Sequence, residues 1–226
     1  AGVTVAIAAL IGGFQLAMQE RFSASRFWDQ ARESGATHVH YLGSVLPMLL
    51  KQPERTDDRD HKVRIAWGGG CPPAIWERFE SRFGLQIREG YGMSVLLRFI
   101  TVNTDGRVGS IGKPLDYYDV VLADDEGKEV AQGEAGEVTV RTRVSGMGFL
   151  GYLDNPKADA ESYRGEWFLT GDLATRDADG FLYYSGRKKD MLRRRGINIS
   201  AWEVESVVAR HEAVEEGGLV GVPSDL

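Results

Sequence analysis

Through residues 1–100 the chain repeats one rhythm, an apolar run of strand length followed by an amphipathic helical stretch, and that rhythm admits few architectures. Ser23 precedes SRFWDQARESG, where Phe27 and Ala31 share a helical face and Gly35 supplies a stop. THVHYLG reads as a strand, SVLPMLLKQ as a helix capped by Ser44, and VRIAWGGG as a strand running into glycines. PPAIWERFESRFG is a helix that Pro72 and Pro73 start, and LQIREGYGM is the next strand and loop. PERTDDRDHK reads as a charged surface loop. Strands alternating with helices predict an α/β fold, a parallel sheet with flanking helices.

Near residue 104 the rhythm changes. Tight turns appear at Thr104-Asp105-Gly106, Asp125-Glu126-Gly127 and Asp179-Gly180, and DVVLAD, EVTVRT and FLYYSG between them have β character. A small antiparallel β-barrel or sandwich subdomain is expected here. After Gly186, Ser200-AWEVESVVARH reads as a capped helix with Glu203 in capping-box position, and GGLVGVP as a strand. The predicted organisation is 1–103 for the α/β part, 104–186 for the β subdomain, and 187–226 for the start of a small α+β C-terminal domain.

Composition narrows the function. A formal charge of −6 over 226 residues opposes a dedicated nucleic-acid binder. Cys71 is the one cysteine, which leaves no intrachain disulfide and fits a reducing cytoplasm. AGVTVAIAALIGGFQLAM carries no charged side chain, yet Gly12, Gly13 and Gln15 interrupt it and no basic residue precedes Arg21. It therefore reads as neither a membrane span nor a signal peptide. The expectation is a short helix, Val3–Leu10, a Gly-Gly turn and a buried strand, Phe14–Met18.

Three segments carry chemistry. Trp67-Gly68-Gly69-Gly70-Cys71-Pro72-Pro73 follows a strand, where α/β proteins bind ligands and glycine lets backbone approach closely; a plain strand-to-helix turn reads equally well. In Glu89-Gly90-Tyr91-Gly92-Met93-Ser94, a tyrosine between glycines can lie on an aromatic base, or simply pack in a turn, and Ser94 can bond an oxyanion. In Trp167-Phe168-Leu169-Thr170-Gly171-Asp172, an aspartate on a glycine turn can accept bonds from both hydroxyls of a ribose. Arg187 supplies fixed donors, and six of the nine residues Arg187–Arg195 are basic, which suits a polyphosphate. A solvated charge run or a nucleic-acid patch is the competing reading of that basic stretch.

Taken in order, these segments resemble the adenylate-forming superfamily of acyl-CoA synthetases, luciferases and adenylation domains. Gly109-Ser-Ile-Gly-Lys-Pro, Gly136-Glu-Val, Thr170-Gly-Asp-Leu, Gly186-Arg-Lys-Lys-Asp and Arg195-Gly-Ile-Asn-Ile-Ser-Ala-Trp-Glu-Val-Glu extend the likeness along essentially the whole chain. Leu42 to Leu50, with RFSASRFW before it, is most similar to bacterial crotonobetaine/carnitine-CoA ligase-like proteins. The resemblance implies that Gly69, Gly70, Cys71 and Pro72 line an adenine pocket with Glu89 and Gly90, that Tyr91 stacks on the base with Gly92 and Met93 beside it, and that Ser94 holds the α-phosphate or acyl carboxylate. It further implies ribose binding by Asp172 and Arg187 with Tyr184 nearby, a hinge at Lys189, and a pantetheine tunnel past Gly196. ATP or AMP, CoA and Mg2+ are the implied cofactors, and a small carboxylic acid the substrate, in the cytoplasm, with an oligomer compatible with all of this.

The sequence also departs from the family. Val95 stands where the motif carries a glutamate that helps hold Mg2+, and valine offers a hard cation no oxygen. The phosphate loop and the late lysine of the family are not in these residues, so little ligase activity is expected of them alone. Two other readings use the same motifs: a domain that loads a carrier-protein thiol, and a degenerate nucleotide-binding module without catalysis.

Overall fold

The computed structural model describes residues 2–96, 98–194, 197–208, 211, 214 and 217–222. Contacts divide the chain into two units, Ala1–Gly112 and Lys113–Leu226.

The first unit contains α1 (Gly2–Gly12), α2 (Phe27–Ser34), β1 (His38–Leu42), α3 (Val45–Leu50), β2 (Ile65–Gly69), α4 (Pro73–Phe83), β3 (Gln86–Met93) and β4 (Arg98–Asn103). β1, β2 and β3 are parallel neighbours, and β4 returns antiparallel along β3. The antiparallel regime thus starts at residue 98, ahead of the Gly106 turn, because the connection after Met93 is too short for a crossover. β3 also continues through the Gly-Tyr-Gly segment that the sequence suggests as a loop, with a register shift between Tyr91 and Gly92.

The core lies under one face of this sheet. Tyr41, Ala66 and Ile87 project into a cluster with Leu46, Leu49, Trp76, Phe79 and Phe83. Each such large side chain contributes roughly 1.5–3 kcal/mol by leaving water. Gly35 and Gly84 end α2 and α4 in the left-handed conformation. Ser44 precedes α3 as expected, but it is already helical and its side chain makes no cap hydrogen bond. The charged loop is anchored rather than merely solvated. Arg82 of α4 donates to buried Asp58 at 2.7 Å and to the carbonyls of Leu50, Gln52 and Pro53 at 2.9 Å.

The N-terminal expectation fails in part. A helix forms, but Phe14–Met18 is neither a strand nor buried: Phe14, Leu16 and Met18 are exposed. Apolar content suggested burial, but a strand also needs a backbone partner, and the described residues pair none with this segment. No helix among them is long and apolar enough to cross a membrane.

The second unit opens with the short β5 (Lys113–Pro114). β6 (Tyr118–Ala123), β7 (Gly136–Thr142), β9 (Trp167–Arg176) and β10 (Leu182–Arg187) form one antiparallel sheet in the order β10-β9-β7-β6, with β8 (Tyr163–Arg164) paired to β9. The expected barrel or sandwich takes the form of a single curled half-barrel sheet. α5 (Pro156–Glu161) is capped by the Asn155 side chain. A two-stranded ribbon, β11 (Met191–Arg194) and β12 (Ile197–Ser200), leads into α6 (Ala201–Val208). The Ser200 hydroxyl accepts the Glu203 amide at 3.3 Å, as the capping box requires. GGLVGVP does not form the expected strand over its described residues 217–222; the Leu219 amide instead bonds the Glu205 side chain.

Candidate active site

The sequence-marked residues fall into two sets, one in each unit. In the first, Gly69 ends β2, and Gly70, Cys71 and Pro72 lead into α4. A side chain at Gly68 would bring its Cβ within 2.0 Å of the Tyr41 carbonyl oxygen on β1, so close strand packing alone demands glycine there. Glu89, buried on β3, fastens the loop: its Oε1 accepts the Cys71 amide at 2.6 Å and the Tyr41 hydroxyl at 2.9 Å. Burial pushes the Glu89 carboxyl up, opposed by the donors from Cys71, Tyr41 and Gly70. Burial, then the Glu89 charge, raises both the Tyr41 hydroxyl and the Cys71 thiol well above their ordinary ranges. Cys71 is therefore an inert thiol rather than a nucleophile.

Gly90 lies on β3 with the Phe99 ring where a Cβ would stand. Tyr91 is buried, Gly92 exposed and Met93 half-buried. Exposed Ser94 opens a 3-10 turn, Ser94–Leu96, in which Val95 is half-buried. The structure thus joins Gly69, Gly70, Cys71, Pro72, Glu89 and Gly90 in one neighbourhood, with Tyr91 to Ser94 running on along the same strand. Tyr41, Leu46, Leu49 and Leu50 are spent in the core.

In the second unit, Asp172 does not sit on a turn. Gly171, at φ +71°, lies inside β9 at a bulge, where Thr170, Gly171 and Asp172 together stand opposite Val138 of β7 alone. The Thr170 hydroxyl donates to the Val138 carbonyl at 2.7 Å and accepts the Asp172 amide at 3.1 Å. The Gly171 amide donates to Glu137 Oε1 at 3.0 Å. Asp172 is 3% exposed and is the cross-strand partner of Arg187, whose Nε reaches Asp172 Oδ1 at 2.9 Å. The Tyr184 hydroxyl stands 3.5 Å from the same oxygen. The Asp172 charge holds the Arg187 guanidinium more firmly protonated, and burial followed by that same charge raises the Tyr184 phenol.

The result is a buried carboxylate aligned by a half-exposed guanidinium, with hydroxyl donors of a ligand as its natural complement. Lys188 does not join the free basic run that the sequence suggests. Its ammonium pairs with Glu137 Oε2 at 3.0 Å and Asp125 at 2.7 Å. Lys189 follows, exposed, in a 3-10 turn, Lys188–Asp190. Gly196 lies outside the described residues. A cleft of about 310 Å3 elsewhere in this unit, beside Glu129, Gln132 and Arg176, includes none of the marked positions.

Sequence reasoning missed Tyr41 and Glu137. Tyr41 stands near the C-terminal end of a parallel strand, the ligand end in α/β folds. Glu137 is a charged residue in a strand otherwise buried from Gly136 to Val140, and that mismatch was its signal.

Mg2+ finds no ligand at Val95, and among the described residues no three His, Cys, Asp or Glu side chains gather as a metal site. A nucleoside fits better, since a buried carboxylate and a fixed guanidinium offer an acceptor and donors side by side.

Comparison with known proteins agrees with the resemblance. A family model described as AMP-binding enzyme matches residues 1–153. Steroid-22-oyl-CoA synthetase of Rhodococcus jostii RHA1 is 35% identical, over 95% of this chain and 41% of its own length. Crotonobetaine/carnitine–CoA ligase of Escherichia coli O157:H7 is 30% identical, over 99% of this chain and 44% of its own. Among solved structures, o-succinylbenzoate CoA synthetase (MenE) of Bacillus subtilis, in complex with the acyl-adenylate OSB-AMP, superposes with a TM-score of 0.86 at 27% identity, over 99% of this chain and 46% of that one. The same enzyme has been solved with ATP and magnesium ion, TM-score 0.85. The chain spans less than half the length of each of these relatives.

Proposed function

Because the chain belongs to the family of AMP-binding enzymes, we propose that it is the nucleotide-handling portion of a cytoplasmic ATP-dependent acyl-CoA synthetase. In that reaction a carboxylate oxygen of a small acid attacks the α-phosphorus of ATP, and the bond to the β-phosphate breaks to release pyrophosphate. The CoA sulfur then attacks the acyl carbon, the bond to the phosphate oxygen breaks, and AMP leaves. The work of the protein is positioning and neutralisation of developing charge.

The observation that carries this reading is the Asp172–Arg187 pair on its bulge. Asp172 would accept the ribose hydroxyls while Arg187 aligns its carboxylate. Gly69, Gly70, Cys71, Pro72, Glu89 and Gly90 would meet the adenine, Tyr91 its face, with Gly92 and Met93 beside it, and Ser94 the reacting phosphate or carboxylate. Residues 187–226 would be the hinge, at Lys189, and the start of a small mobile domain, with Gly196 beside the thiol. The synthetase names of the relatives support CoA as acceptor. Calorimetry with AMP tests the reading: Asp172→Ala is expected to weaken binding by roughly 1.5–3 kcal/mol, the value of a hydrogen bond to a charged group, and unchanged affinity would refute it.

One observation favours a second reading, a nucleotide-binding module without catalysis: Val95 puts an isopropyl group where an oxygen ligand is needed. Val95→Glu in the full-length protein decides: gain of pyrophosphate release supports a weakened synthetase, and no gain supports the module.

A further inference from the structure

Glu137 is an expensive residue for a strand interior. Its side chain is 7% exposed, on a strand whose neighbours Gly136, Val138, Thr139 and Val140 are buried too. A buried carboxylate lowers stability unless both oxygens are well partnered, and an apolar residue of similar size would serve the fold alone as well. Both oxygens are partnered here. Oε1 accepts the amide of Gly171, which the bulge has moved out of register with β7, and Oε2 accepts the ammonium of Lys188. Gly171 precedes Asp172, and Lys188 follows Arg187. One carboxylate therefore grips the backbone next to each member of the pair whose spacing the ribose would read. The second partner of Lys188, Asp125, is 79% exposed and contributes little by comparison.

We propose that Glu137 is a positioning residue, which sets the separation of Asp172 and Arg187 by bridging the β9 bulge to Lys188. The proposal rests on the ribose reading above.

The test titrates the chain by calorimetry with AMP and with 2′,3′-dideoxy-AMP, and reads the ratio of the two affinities. The unaltered chain is expected to prefer AMP, and Asp172→Ala to abolish that preference. Glu137→Gln keeps an acceptor for Gly171 but loses the charge that holds Lys188. It is expected to lower the ratio about three- to tenfold, the range of one net hydrogen bond, with dideoxy-AMP affinity unchanged. Lys188→Met alters a partly exposed side chain and tests the other end of the bridge if Glu137→Gln does not fold; it should lower the ratio in the same direction. An equal weakening of both ligands by these variants means a merely structural carboxylate and overturns the proposal, as does an unchanged ratio beside a collapsed one in Asp172→Ala. No preference in the unaltered chain, or a preference that survives Asp172→Ala, refutes the ribose reading and the proposal with it.

Discussion

The Cys71 amide and Glu89 Oε1 meet at 2.6 Å, so a buried carboxylate on β3 holds the loop that leaves β2. The Tyr41 hydroxyl on β1 reaches the same oxygen, and three parallel strands are thereby tied at one end.

That knot has a pH signature. Burial raises the Glu89 carboxyl above its ordinary 4.5, so the folded chain holds this proton more tightly than the unfolded one. Its contribution is then complete below about pH 4.5 and is lost as pH rises through the folded value. Glu89→Gln removes the titration. The stability of the native chain relative to the variant, from urea unfolding at a series of pH values, should fall as pH rises above about 4.5. A difference that stays flat above that pH would sink the idea.

Gly68→Ala tests the closeness of β1 and β2. The new methyl would stand 2.0 Å from the Tyr41 carbonyl oxygen, a backbone atom that cannot swing aside. Separating the strands should cost about 3 kcal/mol or more, at the upper end for overpacking. Thermal unfolding reads it directly, and a shift of only a degree or two would contradict the packing described.

How far these features could be read beforehand depends on whether their cause is local. Gly35 as a helix end, Pro72 and Pro73 at the start of α4, and the Ser200–Glu203 cap are local, and all stand as read. Asp172 and Arg187, read together from the motif series, do meet in the structure, as cross-strand partners on β9 and β10. What failed is non-local. Phe14–Met18 has strand composition but needs a hydrogen-bonding neighbour that composition does not supply. Gly171 signals a positive φ, which the sequence suggests as a turn; only the register of β7 makes it a bulge. Glu137 and Lys188 lie 51 positions apart, and no local pattern announces their contact.

Arg82 and Asp58 form a second buried tie. Both side chains are at most a tenth exposed, and Arg82 also serves three carbonyls. Removing one partner of a buried pair strands the other, so Asp58→Ala should cost about 3–5 kcal/mol. The double variant Asp58→Leu/Arg82→Met should recover part of that loss, because no charge is left unpaired. Denaturant titration distinguishes the cases; losses that simply add would count against a coupled pair.

Gly171→Ala separates torsion from packing at the β9 bulge. An added Cβ there meets nothing within 4 Å, so, unlike Gly68, the whole penalty is conformational. Holding alanine at φ +71° costs about 1–2 kcal/mol. The bulge can shed that strain by relaxing toward ordinary strand geometry, which rotates the next residue, Asp172, away from Arg187 and lengthens the amide contact to Glu137. The variant should therefore lose little stability yet bind AMP several-fold more weakly. A chain destabilised by the full torsional cost with unchanged AMP affinity would show instead that the bulge is rigid and that Asp172 keeps its aim whatever residue precedes it.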